Sequence, residues 1–345
     1  MGRSHEVKSV QRLLKDDGTL REPGWSRKLY QVYDRSEIKA PKFRIKEWDY
    51  YLVLNENHAF AFTISDDGYI GLQSASLLDF QNVLEHTETI LTPFPMGKLH
   101  MPSTSESGNV SYHDKRLKMD FFKENGRRRL VCEFQNFWDG TALSADITLY
   151  EPDTDTMVIA TPWKEKKTAF YYNQKINCMR AEGKAVFGGR EFVFSPETDF
   201  GTLDWGRGVW TYQNRWYWGS GNGIVNGRPF GFNIGYGFGD TSAASENVIF
   251  YDGRAHKFDD IVFQIPESDG RRQYLKPWIF TSSDGRFEAD FVPVLDRAAK
   301  IDVKLIKTDQ HQVFGRMSGK AVLDDGTALE FKNLMCFAED VYMKY

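Results

Sequence analysis

A chain of 345 residues has room for two domains of ordinary size. Its 44 Lys+Arg against 48 Asp+Glu leave a formal charge of -4, which argues against affinity built on neutralising nucleic-acid phosphates. A hydrophobic fraction of 41% with 27% charged residues excludes a disordered chain, and the absence of any run of about 18 apolar residues argues against a membrane-spanning helix.

The first 24 residues read as an N-terminal extension. They are charged almost throughout and lack the apolar core of a secretory signal, so a cytoplasmic address is expected. Glu6 stands where a myristoylation motif needs Ser or Thr. Helix signals are few, and short helices are expected only over Glu6 to Leu14 and Ala75 to Leu84. Most of the remainder alternates apolar and polar residues between tight turns. Leu117, Met119 and Phe121 lead to Asn125-Gly126, and Leu130, Cys132 and Phe134 lead away from it, the pattern of a half-buried hairpin. Asp139-Gly140 begins another, with Leu143, Ala145, Ile147 and Leu149. Further turns at Asp67-Gly68, Gly188-Gly189, Asn226-Gly227, Asp252-Gly253, Asp284-Gly285 and Asp325-Gly326 predict an all-β chain of antiparallel barrels or sandwich-like sheets.

The sequence also repeats itself in order. His58-Ala-Phe-Ala-Phe-Thr-Ile64 matches Arg228-Pro-Phe-Gly-Phe-Asn-Ile234; the Asp-Gly turn before Ala145-Asp146 matches that before Ala289-Asp290; Gly183-Lys-Ala-Val186 returns as Gly319-Lys-Ala-Val322. Two tandem β domains are expected, residues 25–195 and 196–345, with the boundary near Ser195-Pro196. The odd number of cysteines, Cys132, Cys178 and Cys336, predicts buried reduced thiols. Histidines without HxH or HExxH spacing give no case for a metal, and no cofactor is expected.

Residues 204 to 257 differ from the rest. A strand over Trp210 to Trp218 places Trp210, Tyr212, Asn214, Trp216 and Trp218 on one face. A strand over Phe230 to Gly239 places Phe230, Phe232, Ile234, Tyr236 and Phe238 on one face, opposite Gly231, Asn233, Gly235, Gly237 and Gly239. Glycines concentrated on one face need a geometric reason: tight sheet curvature, neighbouring rings lying over the backbone, or a lumen in which a guest rests beside Asn233. Asp204, Arg207, Asp240, Glu246, Asn247, Asp252 and His256 surround these strands. Asp204 and Arg207 are expected to form an ion pair closing a loop.

This stretch, from Asp204-Trp-Gly-Arg-Gly-Val-Trp210 through Trp216, Asn233, Asp240, Glu246-Asn247 and Asp252-Gly253 to His256-Lys257, resembles the uncharacterised family DUF2804. Gly24-Trp25-Ser26-Arg27 resembles its N-terminal block. That family is distantly similar to proteins of two lipocalin-like barrels, among them carotenoid hydratases and tocopherol cyclase. The resemblance implies tandem lipocalin-like barrels and proton-driven chemistry on large apolar substrates without a redox cofactor.

Three functional readings follow. The first is a binder or non-redox modifier of an apolar or amphipathic small molecule, in the lyase, hydratase or isomerase class if it is an enzyme. Asp204 or Glu246 would then donate a proton, with His256 or Asp240 as partner. Trp210, Trp216 and Tyr236 would shield positive charge, Arg207 would anchor an anionic group, and Tyr212, Asn233 and Asn247 would line the site. The second is carbohydrate chemistry, since indoles stack on sugars and paired carboxylates cleave them. The third is a scaffold whose aromatic motif forms the interface between barrels.

Overall fold

Alternation with a period of two, cut by turns that demand left-handed backbone, folds the chain into antiparallel meanders. The computed structural model describes residues 4–303 and 306–344. The hairpins expected at Asp139-Gly140, Asn226-Gly227 and Asp252-Gly253 form, each with both turn residues at positive φ (47° and 81°, 51° and 75°, 46° and 83°), the geometry that Asn-Gly and Asp-Gly supply at little cost. Among the described residues, the helical elements are the single 3-10 turns Arg35–Glu37 and Lys42–Arg44.

The two expected helices are strands or extended chain. Ala75 lies in the strand Ile70–Asp79 and Leu84 starts the strand Leu84–Pro93. Ile70–Asp79 is buried on both faces from Gln73 onward, and a strand buried on both faces loses its alternation and reads as a continuous apolar run. In the N-terminal segment, Gln11–Arg12 pairs in parallel with Gln31–Val32, while Val7, Leu13 and Leu14 are buried.

The first sheet has thirteen strands and the second nine. In the first, Ile45–Leu54, His58–Asp66, Ile70–Asp79 and Leu84–Pro93 form one meander. The chain continues through Val110–His113, Leu117–Glu124, Arg127–Trp138, Thr141–Tyr150 and Phe170–Phe187 to Phe200–Val209, which pairs back onto Ile45–Leu54. The sheet thus curls on itself and stays open only between Leu84–Pro93 and Val110–His113. Side chains cross that seam: Arg116 Nη2 donates to Glu88 Oε1 at 2.8 Å. The second sheet repeats the plan. Gln213–Val225, Arg228–Tyr236, Val248–Tyr251 and Arg254–Lys257 form its first meander. Ile261–Gln264, Trp278–Ser282, Phe287–Val303, Ile306–Val322 and Ala328–Lys344 complete it, and the last pairs with Gln213–Val225.

All three sequence repeats fall on strands that hold the same place in the two sheets. The fold is all-β, two tandem lipocalin-like barrel domains. Sheet membership changes between Val209 and Gln213, later than the expected Ser195-Pro196, because Phe200–Val209 is the closing strand of the first barrel. The Asp204-to-Val209 part of the central motif therefore belongs to the first barrel.

Both interiors are filled. Phe60, Phe62, Phe134 and Trp205 pack the first, and Phe230, Phe232, Trp278, Phe287 and Phe331 the second. The three cysteines are buried and unpaired. Among the described residues, no helix is long and apolar enough to cross a membrane.

Candidate functional site

The glycine ribbon does not line a lumen. Phe230, Phe232 and Ile234 point into the filled second barrel, and the bare face turns towards the first. A Cβ on Gly231 would lie 2.8 Å from Cys178 Sγ, and one on Gly239 2.6 Å from Thr161 Cγ2. Gly231 and Gly239 let the barrels approach, a reason not among the three expected from the sequence. Asn233 is fully buried; it accepts from Trp218 Nε1 at 2.7 Å and donates to the Glu246 carbonyl at 3.1 Å. Asn247 accepts from Gly235 N–H and donates to Asp259 O, both at 2.9 Å. Both amides hold strands and neither lines the cavity.

A cavity of about 590 Å³ opens beside this contact, between the outer faces of the two barrels. Its floor is one lateral row of the first sheet, in which register places Lys175, Asp204, Tyr50, Thr63, Ser74 and Thr89 side by side. Its roof is the row Trp218, Glu339, Gln312 and Arg297 of the second sheet. The rows touch at one end, where Lys175 Nζ lies 3.8 Å from the centre of the Trp218 ring, and at the other Arg297 Nη1 donates at 2.9 Å to Ser76 Oγ, two residues along the strand from Ser74.

An aromatic box closes one end. Trp210 meets Trp48 edge-on at 5.2 Å, Phe238 at 4.8 Å and Trp216 at 5.9 Å, while Tyr171 stacks on Trp48 at 6.1 Å. Gly206 makes this possible, since a Cβ there would sit 1.9 Å from the Trp48 ring.

The carboxylates at this cavity differ in their surroundings. Asp204 accepts from Lys175 Nζ at 2.8 Å and Asn173 Nδ2 at 2.6 Å. Glu339 is 4% exposed and accepts from two neutral donors, Trp216 Nε1 at 2.9 Å and Gln312 Nε2 at 3.0 Å. Burial pushes its carboxyl up to about 7, against the pull of Arg297 and Lys175. Burial also raises the Glu246 carboxyl, and the Asp204 charge disfavours ionisation of both. The Tyr236 phenol is pushed up to about 12 by burial, so it stays a neutral donor.

Of the residues singled out in the sequence, Asp204, Glu246, Trp210, Trp216 and Tyr236 meet at this cavity. The others do not. Arg207 points into the first barrel, where it is wholly buried, pairs with Asp49 at 3.0 Å and donates to Pro102 O at 2.8 Å. Its expected pair with Asp204 does not form, because positions three apart on a strand lie on opposite faces. Asp240 accepts from Ser242 N–H at 3.1 Å, with Lys164 at 3.7 Å, in a separate polar pocket. His256 faces Asp324 at 3.2 Å on the second barrel, and Tyr212 is 42% exposed near Lys344.

Sequence reading missed Lys175, Glu339, Gln312, Arg297, Tyr50, Trp48 and Trp218 as site residues. One signal was present: Glu339-Asp340 interrupts the otherwise apolar run Met335 to Val341. No group of three or more His, Cys, Asp or Glu among the described residues is placed to hold a metal ion.

The chain is similar to solved structures. An AttH-like protein of Nitrosomonas europaea is 12% identical, with a TM-score of 0.56 over 90% of this chain and 96% of its own. Kievitone hydratase of Nectria haematococca is 10% identical, with a TM-score of 0.49 over 97% and 98%. At 12% identity the likeness to the first is one of fold alone. No curated protein sequence matches. The model of a domain of unknown function matches residues 4–345, and the chain belongs to that family, DUF2804.

Proposed function

We propose that the chain binds an apolar or amphipathic small molecule in the cavity between its barrels and acts on it by proton transfer, in the hydratase, isomerase or cyclase class. The observation that carries this reading is Glu339: a carboxyl group poised near neutral pH, held by an indole N–H and an amide in a cavity walled by aromatic rings. An acid with a pKa near the working pH is the effective proton donor.

Glu339 gives its proton to a double-bonded carbon of the ligand, and the adjacent carbon becomes electron-poor. The Trp216 and Trp218 faces stabilise that positive charge. Water then adds with loss of a proton, or a neighbouring C–H gives up its proton to re-form a double bond. The Asp204 carboxylate, oriented by Lys175 and Asn173, accepts the departing proton. Asp204 then releases its proton to water, and water passes one on to Glu339, restoring both groups.

Mass spectrometry of the purified chain tests the binding step. The native spectrum is expected to contain a small-molecule adduct that denaturation releases, and Trp216→Ala is expected to lose it. An unliganded native chain that also fails to bind any apolar or amphipathic probe would refute the reading.

A further inference from the structure

The cavity has unlike ends. At one lies the aromatic box around Trp48 and Trp210. At the other stands Arg297, half-buried, with the small side chains of Ala298 and Ala299 leaving room beside it. Its hydrogen-bond partner is a neutral one, Ser76 Oγ at 2.9 Å, and among the described residues no carboxylate lies within ion-pair distance of it. Glu85 lines the same end, and burial raises its carboxyl against the pull of Arg297. Lys175, by contrast, is already paired with Asp204 and covered by the Trp218 ring.

Trp218 and Arg297 are three strand positions apart in the roof row. At about 4.8 Å per strand the ligand path runs roughly 14 Å across the sheet, with Glu339 next to the aromatic end. A guanidinium left with one neutral partner in a partly desolvated site gains most from an anionic oxygen pair, which it binds in a bidentate fork.

Resting on the reading of the cavity as the ligand site, we infer that its ligand is an elongated amphipathic anion with a single negatively charged head at Arg297 and its apolar or unsaturated end in the aromatic box. The role that sequence reading gave to Arg207 belongs to Arg297. The floor hydroxyls Thr63, Ser74 and Thr89 supply hydrogen bonds along the path.

The test titrates the full chain with dodecanoate and with dodecan-1-ol, followed by quenching of tryptophan emission. The parent chain is expected to bind dodecanoate at least tenfold more tightly. Arg297→Gln is expected to erase that margin while leaving dodecan-1-ol affinity unchanged, and Arg297→Lys to keep part of it. Equal affinity of the parent for both probes, or an undiminished margin in Arg297→Gln, overturns the assignment of the head group alone. Trp216→Ala is expected to weaken both probes. Failure of both to bind the parent chain, or indifference of both to Trp216→Ala, removes the cavity reading and the inference together.

Discussion

Glu339 shows how far one side chain's surroundings set its chemistry. An ordinary glutamate titrates near 4.5, and burial carries this one to about 7. Between those values the unfolded chain has released a proton that the folded chain retains. Stability therefore falls as pH rises across that window, by about 3 kcal/mol, and levels off above it. Glu339→Gln is expected to lack this decline when thermal unfolding of variant and parent is compared from pH 4.5 to 8. Tryptophan emission, reporting through Trp216 Nε1, is expected to titrate near pH 7 in the parent and not in the variant. Parallel pH profiles would show that Glu339 is not the titrating group. Trp210 and Trp216 were legible in the sequence, because nine tryptophans with several in one short segment stand out, whereas Trp48 lies outside that segment. Glu339 and Lys175 were not, since a charged residue in an apolar strand carries no local mark of whether its neighbour is solvent or another barrel.

At the scale of single elements, the hairpins and their turn residues were readable because turn chemistry is local. The faces of the central strands were assigned their side-chain alternation, but not what lay opposite. The Phe230–Phe232–Ile234 face fills a barrel; the glycine face meets an element more than fifty positions earlier in the chain. That element is the long strand Phe170–Phe187, whose register shifts between Ile176 and Met179. Cys178 takes φ 59° there, a rare conformation for a residue with a side chain. The bulge turns Asn177 into the second barrel, where its Nδ2 donates to Ser220 Oγ at 2.9 Å and Asn222 Oδ1 at 3.0 Å. Asn222 Oδ1 also accepts from Cys178 N–H at 2.8 Å, and its Nδ2 donates to Thr202 Oγ1 at 2.7 Å. Asn222→Ala strands the Cys178 donor and is expected to cost about 1–3 kcal/mol in urea unfolding. A loss below about 0.5 kcal/mol would mean that the bulge holds without this amide.

Across the whole molecule, the two barrels meet through different members of their sheets, Phe170–Phe187 of the first against Gln213–Val225 and Arg228–Tyr236 of the second, and Leu84–Pro93 against Phe287–Val303. Contacts at the chain's start tie them further: His5 N–H donates to Ala243 O at 2.9 Å, and Arg27 bridges Asp155 at 2.6 Å and Ala255 O at 2.9 Å. Asp204 and Glu339 lie on corresponding strands, each the one that closes its barrel, and each has a lateral neighbour on the preceding long strand. That neighbour is Lys175 in one barrel and Gln312 in the other. Gln312→Lys is expected to bring an ammonium beside Glu339 and to move the emission midpoint well below 7, since a nearby cation favours the charged form; an unmoved midpoint would show that Gln312 does not govern this carboxyl. The duplicated scaffold thus sets a carboxylate beside an ammonium on one wall of the cavity and a carboxyl beside an amide on the other, so that a single repeated strand pair offers a proton acceptor across from a proton donor.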